Sequence, residues 1–168
     1  MERINGSNER FDRLLRIGKH RWLIYYGLFD GEDGKYMYMQ QFDHKPSLAE
    51  IKALILDTIN NDVNERIVSG FVWEAQDGTR YRVWLSIENQ QNYKAIYDLA
   101  VQMGGQGVLP VTFKFGTTEE PTYHTFETLE ELQTFYIQSV RFIQETYQWG
   151  WAEKDNIDWS NYEHDIDP

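Results

Sequence analysis

The sequence contains no cysteine, and that absence removes several classes of chemistry at once. There can be no disulfide framework, no thiolate zinc site and no cysteine nucleophile. Histidine is scarce as well. His20, His44, His124 and His164 are scattered without the spacing that metal ligands take, so neither a metal nor a cofactor is expected. No apolar run approaches the ~18 residues that a spanning helix needs. The first twenty residues, MERINGSNERFDRLLRIGKH, are polar and unlike a signal peptide. These absences predict a chain that stays soluble where it is made and does not insert into a membrane. Positive charge is also short: the net charge is −11 and the pI about 4.7. That speaks against direct nucleic-acid binding, because neutralising phosphates takes a basic surface. A phosphate-cradling loop is missing too. The stretch QMGGQGVLP has three glycines but no Lys-Ser/Thr and no preceding strand, so it reads as a helix stop and a loop.

What is present is length, uneven charge and aromatic side chains. A chain of 168 residues suits one domain with appended arms and can bury a core without staples. Residues 1–21 hold Arg3, Arg10, Arg13, Arg16, Lys19 and Arg21 against Glu2, Glu9 and Asp12, a net of +3. Residues 150–168 hold Glu153, Asp155, Asp158, Glu163, Asp165 and Asp167 against Lys154, a net of −5. Ends of opposite sign can meet within a molecule or between neighbours, or stay solvated as two arms. Aromatics make up 15% of the chain, with six tryptophans and eleven tyrosines. Most of them belong in a core, but Tyr and Trp are also what interfaces use.

Patterning gives one local order three times over. HRWLIYYGLFD and KYMYMQQF flank a Gly-Glu-Asp-Gly turn. A helix then starts with the capping pair Ser47 and Glu50 and carries Leu48, Ile51, Ile55 and Ile59 at helical spacing. The second hairpin turns at Asp77-Gly78, where both central positions favour positive φ. Ser86 caps the helix that follows, with Tyr93, Ile96, Tyr97, Ala100 and Val101 as its apolar stripe and Gly104-Gly105 as its stop. The third hairpin alternates Val111, Phe113 and Phe115, returns to Phe126, and leads into a helix capped by Thr128 and Glu131. That helix is expected to run to about Trp149. The fold class predicted is α+β, antiparallel hairpins each followed by a helix (ββα three times), with the helices on one face of the sheet. The expected segments are a polar basic arm over 1–19, a hairpin plus helix over 20–64, an α+β domain over 65–150, and an acidic aromatic arm over 151–168.

No constellation points to catalysis. The acid pairs Glu119-Glu120 and Glu130-Glu131 fall in a turn and a first helical turn, where acids are favoured anyway. A glycosidase needs two carboxylates held across a cleft. Asp155 and Asp158 lie in EKDNIDWSNYEHDIDP, which lacks the alternating-acid spacing of a calcium loop and reads as a solvated acidic arm. The junction WLSIENQQ sets one serine before Glu88, Asn89, Gln90 and Gln91, with no titratable partner at hand. At least one of Gln90 to Asn92 is expected to point back toward the hairpin and clamp strand-end backbone groups at the helix start. The protein is therefore expected not to be an enzyme. Trp149, Trp151, Trp159 and Tyr162 are the candidate partner-binding residues, either on an arm that engages a neighbour or folded back to complete the core.

Residues 65–160 carry an ordered set of short motifs: Gly70, Phe71 and Trp73; Trp84 to Ser86 with Glu88 to Gln90, Asn92 and Tyr93; then Pro110, Val111, Phe113, Lys114 and Gly116. Tyr123 to Phe126 come next, with Glu131, Leu132, Phe135 and Tyr136, and the set closes on Gly150, Trp151, Glu153 to Asp155, Ile157 and Asp158. In this order they resemble a domain of unknown function found in bacteriophage and prophage tail-fibre-like proteins. The resemblance implies a structural or assembly component of a phage tail, present in the bacterial cytoplasm during assembly and then in the virion tail. Its partners would be other tail proteins or further copies of itself. The alternative is a binding protein of another class, either a carbohydrate-binding module for a host-surface glycan or an acidic host-directed protein.

Overall fold

A computed structural model of the chain describes residues 1–6, 8–31 and 34–166. The fold is α+β with antiparallel strand pairing throughout the named strands, and it divides into two compact units. One comprises Met1–Asn61 with Ala152–Pro168, the other Asp62–Trp151.

The first unit is built on a four-stranded sheet in the order β1-β4-β3-β2, from β1 (Glu2–Asn5), β2 (Arg13–Arg16), β3 (Trp22–Gly31) and β4 (Gly34–Phe42). On β3 the side chains of Trp22, Ile24 and Tyr26 are buried at every second position, as half-buried strands require. A bulge between Tyr26 and Phe29 then shifts the parity, so that Phe29 joins the same core. Gly27 sits in the bulge at φ +73°, and its N–H donates to Asp12 Oδ1 at 2.7 Å. Helix α1 (Leu48–Ser69) begins in this unit. Its capping box is complete: Glu50 Oε2 accepts from Ser47 N at 2.8 Å, and Ser47 Oγ accepts from Glu50 N at 3.2 Å. Ile51, Ile55 and Ile59, one turn apart, are fully buried.

Several expectations change here. Residues 1–19 do not form a free basic arm, because β1 and β2 sit at the two edges of the sheet and Leu14 is buried. Glu32 and Asp33 of the first turn lie outside the described residues. The C-terminal segment is not a solvated arm either. After a 3-10 turn at Trp159–Tyr162, Ile166 bridges Leu15 in parallel fashion, with Arg16 N donating to Ile166 O and Ile166 N to Leu14 O. Asp165 accepts from Lys45 Nζ at 2.6 Å and from Trp22 Nε1 at 3.1 Å. Opposite-sign ends thus meet within one molecule, and apolar anchors decide the path, since Ile157 and Tyr162 are both buried.

This strap has a pH signature. The Lys45 ammonium and then the Trp22 indole hold the Asp165 carboxyl down to about 2, from an ordinary 3.8. A depressed carboxyl stabilises the fold fully above its ordinary value and loses that contribution as pH falls toward its folded value. Trp22 fluorescence should therefore change between pH 3.8 and about 2. Glu50, also held near 2 by Ser47, titrates in the same window. The Asp165→Asn variant isolates the strap: it should lack the Trp22 change while keeping any due to Glu50. An unaltered Trp22 transition in that variant would show that Asp165 does not tether the strap.

The second unit carries two hairpins, β5 (Phe71–Glu74) with β6 (Arg80–Val83) and β7 (Val111–Gly116) with β8 (Pro121–Phe126). It also holds α2 (Ile87–Gln102) and most of α3 (Leu129–Asp155). Its core is aromatic. Trp73 lies among Tyr81, Phe126 and Phe135, at ring-centre distances of 5.7, 5.3 and 5.2 Å, and Tyr93 and Phe113 pack at 4.9 Å. The strand-strand-helix order occurs only in part as expected, because two further strands precede it. The hairpins form three separate sheets, so there is no common sheet for the helices to cover. Helix α3 also passes Trp149 and continues to Asp155. Among the described residues, no helix is long and apolar enough to cross a membrane.

Candidate partner-binding surface

The Trp84–Gln91 junction positions this surface, and it builds a corner. Ser86 caps α2 by accepting from Asn89 N at 3.3 Å. Two carboxamides reach backward, Gln90 as expected and Asn89 beside it: Asn89 Nδ2 donates to Trp84 O at 3.0 Å and Gln90 Nε2 to Leu85 O at 2.7 Å. Strand-end carbonyls that would otherwise lack partners are thereby satisfied, and the direction of α2 is fixed.

At the start of α3 the expected capping box is only half made. Thr128 Oγ1 accepts from Glu131 N at 3.2 Å, but the Glu131 carboxylate turns to His124 Nε2 at 2.9 Å. His124 Nδ1 in turn lies 3.3 Å from the Tyr81 hydroxyl. In the tautomer whose Nε2–H donates to Glu131, Nδ1 is the acceptor that faces the Tyr81 hydroxyl. A Tyr81–His124–Glu131 chain so joins β6, β8 and α3. His124 and Glu131 are 11% and 12% exposed at their side chains, and Tyr81 is buried. The sequence reading missed this chain. The signal was the period-2 alternation on β8, which puts His124 on the same inward side as Phe126. These three residues do not line the cavity described next, and the arrangement serves as a polar pin in an aromatic core.

Between α2 and α3 lies an open cavity of about 330 Å³, walled by Leu85, Gln90, Tyr93, Lys94, Tyr136 and Val140 among others. Beside it Tyr97 and Tyr136 stack at 4.3 Å with planes 19° apart. Lys94 pairs with Asp98 one turn on, so the rim is close to neutral. Along α3, Ile137, Val140, Gln144, Tyr147 and Trp151 follow one another at alternating steps of three and four and are all exposed. Four of the five are apolar or aromatic: Ile137 is 44%, Val140 40%, Tyr147 39% and Trp151 56% exposed. Tyr147 and Trp151 stack with planes 18° apart. Residues at such steps share one helical face, so α3 presents a continuous apolar stripe to solvent.

The four residues singled out from sequence divide between the two units. Trp149 and Trp151 belong to the second unit, Trp159 and Tyr162 to the first. Trp149 is half-buried under the Arg66 guanidinium, 3.9 Å from the ring centre. The Lys52 ammonium lies 5.2 Å from the Trp159 ring. Tyr162 is a core residue, 2% exposed, whose hydroxyl donates to Tyr25 O at 2.9 Å. Burial drives its ionisation far above the ordinary phenol range. Trp151 alone of the four presents a mostly open face. The described residues hold no group of three or more His, Asp or Glu side chains suited to a metal ion.

Comparison with known proteins gives one family and one set of relatives. The family described as "Domain of unknown function (DUF4376)" matches residues 50–167. "Regulator of sigma D" proteins of Escherichia coli O9:H4 and of Shigella boydii serotype 18 are each 28% identical over 105 residues, which covers 60% of this chain and 65% of theirs. The chain therefore spans just under two thirds of the length of these relatives. No solved structure matches.

Proposed function

The chain belongs to the domain-of-unknown-function family DUF4376, and from that premise we propose that it is a non-enzymatic structural or assembly component of a phage or prophage tail. It acts through protein–protein contacts, and the exposed stripe on α3 is the observation that carries the reading. Monomeric surfaces scatter their apolar residues. A row of four on one helical face, ending in a tryptophan that is 56% exposed, has the composition of an interface centre. The motif order from Gly70 to Asp158, which resembles tail-fibre-like proteins, supports the tail setting. The protein meets its partners in the bacterial cytoplasm during assembly and remains with the tail. Mass spectrometry of nuclease-treated, gradient-purified particles from the source strain tests this. The chain should appear at fixed stoichiometry with tail proteins, and Trp151→Ala should lower its incorporation by about tenfold, as loss of an interface anchor does. Complete particles without the chain would overturn the structural role.

The similarity to "Regulator of sigma D" favours a second reading, in which the chain binds a sigma D protein and regulates it. Titration calorimetry of the chain against purified sigma D separates the two. Saturable micromolar binding supports regulation, and the absence of heat at high concentration rejects it.

A further inference from the structure

We propose that the partner of the α3 stripe is a second copy of this chain, and that the two α3 helices pack antiparallel along Val140, Gln144, Tyr147 and Trp151. The inference rests on the interface reading above and names its partner. Steps of three and four are the a/d spacing of helices that pack side by side with a shallow crossing. From Ile137 to Trp151 that spacing holds without interruption and every position is exposed. A polar residue in the middle of such a seam, here Gln144, is the usual device for fixing register.

Self-complementarity selects the second copy. In an antiparallel pair each a position meets a d position of the other helix. One register sets Val140 against Trp151 of the second copy and Gln144 against its Tyr147, and symmetry repeats both layers. The small side chain then faces the large one, and the carboxamide faces a phenol that can exchange a hydrogen bond with it. On the flanks, the exposed Arg141 comes beside the exposed Gln148 of the second copy. No two like charges oppose each other along this stretch. A parallel pairing would set Trp151 on Trp151 and Gln144 on Gln144, losing both matches.

The size of the contact sets its strength. Residues 140–151 form a ridge about 18 Å long and bury on the order of 400 Å² from each copy. That total falls below the ~1,200 Å² of stable specific interfaces. The pair is accordingly weak in isolation, with a Kd of about 10–100 μM, and becomes stable only where copies are held close together.

Sedimentation equilibrium of the full chain across this range tests the pair, together with cysteine cross-linking. Because the chain has no cysteine, any introduced one is unique. The expected result is a monomer–dimer equilibrium that Trp151→Ala weakens at least tenfold, without a change in far-UV circular dichroism. Gln144→Cys lies next to the symmetry axis and should give a disulfide dimer on mild oxidation. Ile137→Cys, about 25 Å from its counterpart in the antiparallel pair, should not. A monomer at every concentration, a dimer indifferent to Trp151→Ala, or preferential cross-linking at residue 137 would each overturn the proposal. A monomer that still enters tail particles removes the self-pairing and leaves the interface role. A dimer absent from particles does the reverse.

Discussion

Replacing Gly70 with alanine should cost the second unit about 3–5 kcal/mol, enough to unfold a domain of ordinary marginal stability. Gly70 ends α1, where its N–H donates to Arg66 O and Ile67 O, and its φ of +63° is in the left-handed region. That conformation alone costs an alanine about 1–2 kcal/mol. Space is the larger problem. A Cβ built there falls 1.8 Å from Val83 O, 2.9 Å from Val83 C and 3.3 Å from Trp84 Cα. These are backbone atoms, and they belong to the end of β6 and the start of the clamped corner, so no side-chain rotation relieves the clash. Gly78→Ala is the control. Its φ is +83°, but nothing lies within 4 Å of the new methyl, so it should cost only about 1–2 kcal/mol. Chemical denaturation of both variants reads the difference directly. Equal losses would mean that the α1–β5 turn relaxes and the close approach is not tight.

Local features of this fold were legible because they depend on few residues. Ser47 with Glu50 and Ser86 with Asn89 act within three positions, and the helices start where those caps place them. Asp77-Gly78 lies in the turn but is not its central pair: Gly78 N donates to Ala75 O, so Gln76 and Asp77 are central, and of the expected two positions only Gly78 has a positive φ. Even the Gln90 half of the clamp could be anticipated from the donor inventory of a carboxamide at a strand-to-helix corner. The Thr128 box failed for a reason lying four residues before it: the inward-facing ring of His124 drew the Glu131 carboxylate away from the Thr128 N–H. Sequence spacing alone cannot rank a local partner against one supplied by a facing strand.

Long-range placement was not legible, because lopsided composition hid a few apolar anchors. The C-terminal segment looked like a solvated arm because its acids outnumber its apolar residues. Ile157 and Tyr162 nevertheless bury themselves, and Asp165 finds Lys45 and Trp22. Two anchors and one ion pair outweigh the exposed acids Asp155, Asp158 and Glu163, which stay in water while the backbone passes. The candidate surface was half legible for the same reason. Trp149, Trp151, Trp159 and Tyr162 looked alike as aromatic residues near a chain end. Only helical phase separates them: at one residue per 100° of turn, Trp149 and Trp151 leave α3 on opposite sides. One of them meets Arg66 and the other faces solvent. The stripe Ile137–Trp151 was hidden because α3 is apolar on two faces, and the buried face of Leu132, Phe135 and Ser139 accounted for the pattern first.

Trp73→Ala should damage the second unit about as much as Gly70→Ala, at about 3–5 kcal/mol, while Trp73→Phe should be close to neutral. The indole is 2% exposed and sits within 4.9–6.1 Å, centre to centre, of His124, Phe135, Phe126, Tyr81 and Phe115. Truncation to alanine therefore loses the packing that joins both hairpins to α3 and opens a cavity that five rigid rings cannot collapse. The same indole carries a defect. Its Nε1–H is buried with no hydrogen-bond acceptor among the described residues, a condition that costs about 1–3 kcal/mol. Phenylalanine removes that donor and forfeits only the volume difference between the rings, worth about 1 kcal/mol at ~24 cal/mol per Å³ of void. Gain and loss are thus of similar size and opposite sign. Thermal unfolding of the two variants decides the matter. A large loss in Trp73→Phe would mean that the indole N–H has a partner, such as a buried water, and that its hydrogen bond contributes to the core.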